Sequence, residues 1–186
     1  MIITGTIEKI THKAYYRDDK KINYYEVLVV YNFYNNINHI LLLSKDIIKW
    51  DKSKDKLFVF EFEPATKYVN QKLTTDFYLK SYKEVQSKSG KTLTVVTTYY
   101  EKKSFEVLHK QEVKGRVKVF GKFISIYPDV APLYCYFWED NYFLVDLNKV
   151  EKIQLNCKSL PYKDKYISNI EVWRTLKKDN FIGSIL

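Results

Sequence analysis

Cysteine, glycine and proline are scarce in this chain: its 186 residues contain two, five and four of them respectively. Cys135 and Cys157 alone supply neither a disulfide framework nor a four-ligand zinc site, so the fold must hold by packing and no metal or cofactor is expected. With so little Gly and Pro, and 46% hydrophobic residues, the chain is neither collagenous nor low-complexity nor wholly disordered. Long apolar runs are also missing. The longest, residues 40–43, falls far short of the roughly 18 residues that a membrane-spanning helix requires. The opening MIITGTIEKITHK has no basic segment followed by an apolar stretch and a small-residue cleavage site, so it does not read as a secretion signal. A cytoplasmic protein of a prokaryotic or infected host cell, with no membrane contact, is expected.

Motifs that carry chemistry are missing too. Gly5, Gly90, Gly115, Gly121 and Gly183 are scattered, which excludes a phosphate-cradling loop. His12, His39 and His109 stand apart from one another and from the cysteines, and His39, inside an apolar run, reads as a hydrogen-bonded structural histidine. Acid pairs such as Asp18–Asp19, Glu61/Glu63 and Glu139–Asp140 have no further ligands at readable spacing. No catalytic set is legible, and no enzymatic activity is expected.

What is abundant is positive charge and aromatic surface. Lys and Arg number 31 against 22 Asp and Glu, a formal charge of +9, and there are 17 Tyr, 11 Phe and 3 Trp. Only Arg17, Arg116 and Arg174 are arginines; the crowding of Lys, Asn, Ile and Tyr is the composition of an AT-rich coding genome, so net charge alone argues for no partner. The positive charge is spread over both halves instead of forming a basic tail.

Apolar and polar residues alternate with period two over residues 2–10, 24–34, 37–44, 57–63, 73–85, 91–100, 113–127, 133–138, 142–147 and 166–175, which predicts ten strands and an all-β protein of barrel or sandwich type. Asn35-Asn36, residues 87–90 and residues 139–141 carry turn chemistry. The best helical signal is residues 44–50, with Ser44 as cap. The most polar stretch, residues 100–112, suggests dividing the chain into a barrel with a β-hairpin (1–100) and a second β-rich region (101–186).

Alternation separates the two faces of each strand. In the fifth run, Leu73, Thr75, Phe77 and Leu79 read as core, while Lys72, Thr74, Tyr78, Lys80 and Tyr82 point the other way. Residues 113–124 place Val113, Gly115, Val117, Val119 and Phe123 on one face and Lys114, Arg116, Lys118, Phe120 and Lys122 on the other. Tyr24 and Tyr34 on the more polar face of the second run, Tyr15, Tyr16, Arg17 and Lys20 in the loop expected before it, and Tyr68 and Lys72 near the fourth run extend a basic aromatic surface. Cations meet phosphates and rings stack on bases, so such faces suit single-stranded nucleic acid. Either strand alone also fits a solvated face whose lysines discourage edge pairing.

The segments IITGTIEKI, YYEVLVVYNF, INHILLLSKDIIKW and KSKDKLFVFEFEPATKYVNQKLTTDFYLKSYKEV follow one another in an order that resembles the OB-fold of bacterial-type single-stranded DNA-binding proteins, over residues 1 to about 86. The resemblance implies a five-stranded barrel that binds single-stranded DNA through Tyr24, Tyr34, Tyr68, Lys72, Tyr78, Lys80 and Tyr82. The DNFIGSIL ending lacks that family's glycine-rich region and acidic tip, and residues 87–186 show no counterpart; they read as a second small β domain or a β extension. The expected function is non-enzymatic binding of single-stranded nucleic acid with little sequence preference. The rival is an interaction or structural accessory protein of a virus or mobile element, docking on a protein partner through its tyrosine surface or the apolar end Phe181–Leu186; an oligomer fits either.

Overall fold

The computed structural model describes residues 1–85, 96–99, 105–125, 127–144 and 152–176. They form β1 (Ile2–Arg17), β2 (Lys20–Phe33), β3 (Asn36–Ser44), β4 (Leu57–Val69), β5 (Lys72–Val85), β6 (Val96–Tyr99), β7 (Phe105–Val113), β8 (Arg116–Phe123), β9 (Leu133–Trp138), a 3₁₀ turn (Glu139–Leu144), β10 (Lys152–Tyr162) and β11 (Lys165–Leu176). The protein is all-β, with a closed barrel in the order β1-β2-β3-β5-β4 and a six-stranded sheet in the order β6-β10-β11-β9-β8-β7. No helix among the described residues is long and apolar enough to cross a membrane.

Burial pattern explains the barrel. Ile3 and Ile7 on β1, Val27, Val29, Tyr31 and Phe33 on β2, Ile40 and Leu42 on β3, Phe58, Phe60 and Phe62 on β4 and Phe77 on β5 are all buried. Each contributes about 1.5–3 kcal/mol. A bulge between Ile7 and Lys9 shifts the β1–β2 register, and beyond it Ile10 pairs with Val27 while Lys9, Thr11, Lys13, Tyr15 and Arg17 take the outer face. β4 closes the barrel against β1, and β5 joins β3 in parallel at Leu42–Phe77 and Leu43–Tyr78. In the six-stranded sheet, Val119, Phe123, Leu133, Cys135, Phe137, Ile153, Leu155, Cys157, Ile170 and Val172 are buried.

Two-residue turns join five antiparallel pairs. Asp18 and Asp19, Tyr34 and Asn35, Asn70 and Gln71, and Lys114 and Gly115 have both residues at positive φ, and Lys163 opens the fifth turn at φ 53°. This geometry matches the twist of the flanking strands. Tyr, Gln and Lys occupy it because the buried faces fix the register and leave those residues at the turn.

The strand boundaries differ from the sequence pattern in several places. Tyr15, Tyr16, Arg17 and Lys20 lie in strands and not in a loop, because β1 and β2 stay paired out to Arg17–Lys20. Phe33 pairs with Asn36, so the β2–β3 turn is Tyr34-Asn35, not Asn35-Asn36, and Tyr34 leaves the strand face. The single run expected over 113–127 is split, since Val113 ends β7, Lys114-Gly115 turns, and Arg116 begins β8. The polar stretch 105–113 is a strand, as is 152–162, where Ile153, Leu155 and Cys157 alternate with Gln154, Asn156 and Lys158. Residues 44–50 form no helix; Ser44 ends β3 and its hydroxyl donates to the Asp46 carbonyl at 2.7 Å. Residues 139–144 form a 3₁₀ turn instead of the hairpin turn and strand expected there. Residues 87–90, 91–95, 100 and 145–147, and the apolar end 181–186, lie outside the described residues.

Two compact units emerge. One comprises residues 1–64, 76–94 and 158–168, the other 65–75, 95–157 and 169–186, so the tips of the β4–β5 and β10–β11 hairpins are each assigned to a different unit from most of their stems. Within its unit each sheet holds a glycine where backbones approach closely. A Cβ on Gly5 would meet the Val30 carbonyl oxygen, and one on Gly121 the Phe105 ring and the Glu106 carbonyl. Gly5→Ala and Gly121→Ala are therefore each expected to cost about 1–3 kcal/mol through overpacking, read as a lower midpoint in urea unfolding.

Candidate functional site

The outer face of the barrel unit gathers three tyrosines. On β1 and β2 the cross-strand pairs Lys13–Tyr24, Tyr15–Ile22 and Arg17–Lys20 share one side of the hairpin. Tyr15 meets Tyr24 edge-on at 5.9 Å between centroids. The pairings Glu26–Leu43 and Leu43–Tyr78 carry the same face across β3 to β5. Burial raises the Tyr24 phenol above its ordinary pKa, helped by the carboxylates of Glu26 and Asp76; Tyr78 is raised in the same way by burial, Asp76 and Tyr15. The rings remain available, with Tyr15 48% and Tyr78 43% exposed.

The same hairpin carries several cations, with Asp18 and Asp19 in the turn at its tip. Among the described residues, Lys13, Arg17, Lys20 and Lys21 make no ion pair. Arg17 faces Lys20 directly across the strands, a like-charge pairing that disfavours the hairpin on its own and would be relieved by an anion. Tyr16, 75% exposed, projects from the other face of the same tip.

The remaining candidates of this unit are engaged by their own chain. Lys80 is 3.1 Å from the Glu63 carboxylate. Tyr82 packs on Phe58 at 6.2 Å, and its hydroxyl accepts the Lys49 N–H at 3.3 Å. Tyr34, in its turn, lies edge-on to Phe33 at 4.8 Å.

In the other unit the β8 face has the expected composition. Arg116, Lys118, Phe120 and Lys122 alternate with Val119, Gly121 and Phe123, and only Lys114 is displaced, into the turn. The β8–β9 register sets Lys118 opposite Trp138, Phe120 opposite Tyr136 and Lys122 opposite Tyr134. The Arg116 guanidinium lies 4.1 Å over the Trp138 ring, and Lys118 lies 4.5 Å over Tyr136. His109 stacks on Phe120 at 4.5 Å and 11°.

Tyr68, at the tip of the β4–β5 hairpin, completes this set. Its ring stacks on His109 at 5.6 Å and on Tyr134 at 5.8 Å, its hydroxyl lies 2.6 Å from His109 Nδ1, and Thr66 Oγ1 accepts the Tyr134 N–H at 3.1 Å. Carboxylates neutralise much of the charge here. Asp140 takes two bonds from Arg116 at 2.6 and 2.8 Å, Glu139 pairs with Lys110 at 3.0 Å, and Glu106 lies 3.8 Å from Lys122. Tyr136 is only 3% exposed. Rings and cations therefore largely saturate one another on this face, and Lys72 stays exposed at the start of β5. The alternating aromatics of LYCYFW are the signal that finds Tyr134, Tyr136 and Trp138; His109 has none, because a bulge beside it breaks the pattern.

Among the described residues no three His, Cys, Asp or Glu side chains cluster to hold a metal. Cys135 and Cys157 are fully buried, and burial pushes both thiols far above their ordinary pKa, the reverse of what a nucleophile needs.

No known protein family and no curated protein sequence matches the chain. Among solved structures it is similar in fold to the single-stranded DNA binding protein from Thermus aquaticus, at 8% identity and a TM-score of 0.50, over 95% of this chain and 90% of that one. A deletion mutant of that protein aligns at 9% identity and a TM-score of 0.45, over 95% and 94%. At such identities the likeness is one of fold alone. It bears out the OB-like order of the barrel and extends over 95% of the chain, beyond the N-terminal part to which the sequence resemblance was confined.

Two outcomes test these contacts. Tyr68→Phe, which removes only the hydroxyl facing His109, is expected to cost about 1 kcal/mol in denaturant unfolding. Arg116 holds the Asp140 carboxyl below its ordinary pKa, so the pair stabilises the fold above the ordinary value and loses that contribution as the pH falls through the depressed one. NMR titration of the side-chain carboxyl should show its midpoint rise in Arg116→Met.

Proposed function

We propose that this protein binds single-stranded nucleic acid, DNA above all, without enzymatic activity and with little sequence preference. The observation that carries this reading is the OB-ordered barrel whose outer face joins exposed Tyr15 and Tyr78 and half-buried Tyr24 to cations of the β1–β2 hairpin that make no ion pair among the described residues. Each exposed ring offers a base a stacking platform worth about 1–3 kcal/mol, and it offers it to every base alike. On that side of the hairpin Lys13, Arg17 and Lys20 stand ready to meet phosphates and release counterions.

Support from outside the chain is the fold likeness to a single-stranded DNA binding protein. The β8 cations play a lesser part in this reading, because Arg116 and Lys122 would have to exchange carboxylate partners for phosphates.

Fluorescence anisotropy with a labelled oligo-dT tests it. Binding is expected at micromolar protein in about 50 mM salt, weakening with salt at a log–log slope of about −0.7 for each phosphate contacted. Tyr24→Ala and Tyr78→Ala should each weaken it roughly 5- to 100-fold with little change in that slope. Absence of binding at low salt refutes the proposal.

A further inference from the structure

The tip of the β10–β11 hairpin is assigned to the barrel unit although its strands belong to the six-stranded sheet. β3 pairs with β5 only from Leu42 onward, so the Leu41 N–H needs another acceptor. Ser159 supplies it, with its Oγ 2.9 Å from that nitrogen and 2.8 Å from Ser168 Oγ on the opposite strand. This roots the tip on β3 two residues before Leu43, the partner of Tyr78.

Beyond the root, the hairpin exposes what a packed strand pair would hide. Leu160, Tyr162 and Ile167 are 50%, 52% and 44% exposed. The Lys163 ammonium stands 5.4 Å over the Tyr162 ring, and Lys165 begins the returning strand. Neither lysine makes an ion pair among the described residues, and Asp164 is the one acid in residues 158–168. A half-exposed ring with Lys163 over one face, beside two cations that have no carboxylate partner, has the chemistry of a base platform between phosphate contacts.

We propose that this tip is a second contact for the single strand, with Tyr162 stacking on a base and Lys163 and Lys165 meeting the phosphates beside it. The proposal rests on the single-strand reading of the barrel face and extends it to residues that the OB strands do not supply. Positive charge with one acid nearby favours a polyanion over an apolar protein partner, for which the same three apolar side chains would otherwise serve.

The test uses the full chain and a fluorescein-labelled oligo-dT of about 25 nucleotides, longer than one OB-fold site of roughly 4–16. Tyr162→Ala should weaken binding about tenfold. Lys163→Ala with Lys165→Ala should flatten the log–log salt slope by about 1.4, the share of two single-strand phosphates. These side chains are exposed, so thermal midpoints should match the unaltered protein, and 5-iodouracil in the oligonucleotide should crosslink the unaltered chain at the peptide containing Tyr162. Unchanged affinity and slope in both variants, with normal binding by the unaltered protein, overturns the hairpin contact and leaves the barrel site standing. A Tyr162→Ala protein that loses self-association in light scattering while keeping its DNA affinity marks a protein interface, and also overturns it. An unaltered protein that binds no oligonucleotide removes both proposals.

Discussion

Closure of the β1–β5 barrel on an apolar interior is the constraint on which the barrel's candidate surface depends. Once Ile3, Val27, Val29, Ile40, Leu42, Phe60, Phe62 and Phe77 are committed inward, period-two geometry sends Tyr24 and Tyr78 outward. The bulge after Ile7 performs the same service for the hairpin beyond the barrel, placing Lys13, Tyr15 and Arg17 on the side of Tyr24. The tyrosine face is thus a by-product of core packing.

The same residue types meet opposite fates in the two units. On the β1–β2 hairpin of the barrel unit, Tyr15 is open to solvent and Lys13, Arg17 and Lys20 make no ion pair among the described residues. On β8, Arg116, Lys118 and Lys122 each lie over a ring of β9, Asp140 and Glu106 remove charge, and Tyr68 fills the gap between His109 and Tyr134. Composition cannot separate these cases. The difference lies in which neighbours the strand order delivers, and in the second unit the order is non-sequential, with β11 beside β9.

Much of the fold was legible because alternation is a local signal. The barrel strands, the buried row of β5 and the two faces of β8 follow from residues two apart. Tyr34 and Lys114 were misplaced because turn position is decided by pairing across the hairpin, and a tyrosine or lysine at positive φ carries no local mark. β7 was hidden by its charged residues and by the bulge between Val107 and His109. The stack around Tyr68 could not be read at all, since it joins residues 68, 109, 120 and 134, distant in the chain and brought together only by the fold.

The two sequestered thiols have a practical consequence. With Cys135 and Cys157 both shielded from solvent and protonated, an alkylating reagent has nothing to attack while the sheet is intact. Their modification rate is therefore a built-in clock for opening of that sheet, and a cysteine introduced on the barrel's outer surface would take a fluorophore selectively with both native ones left in place.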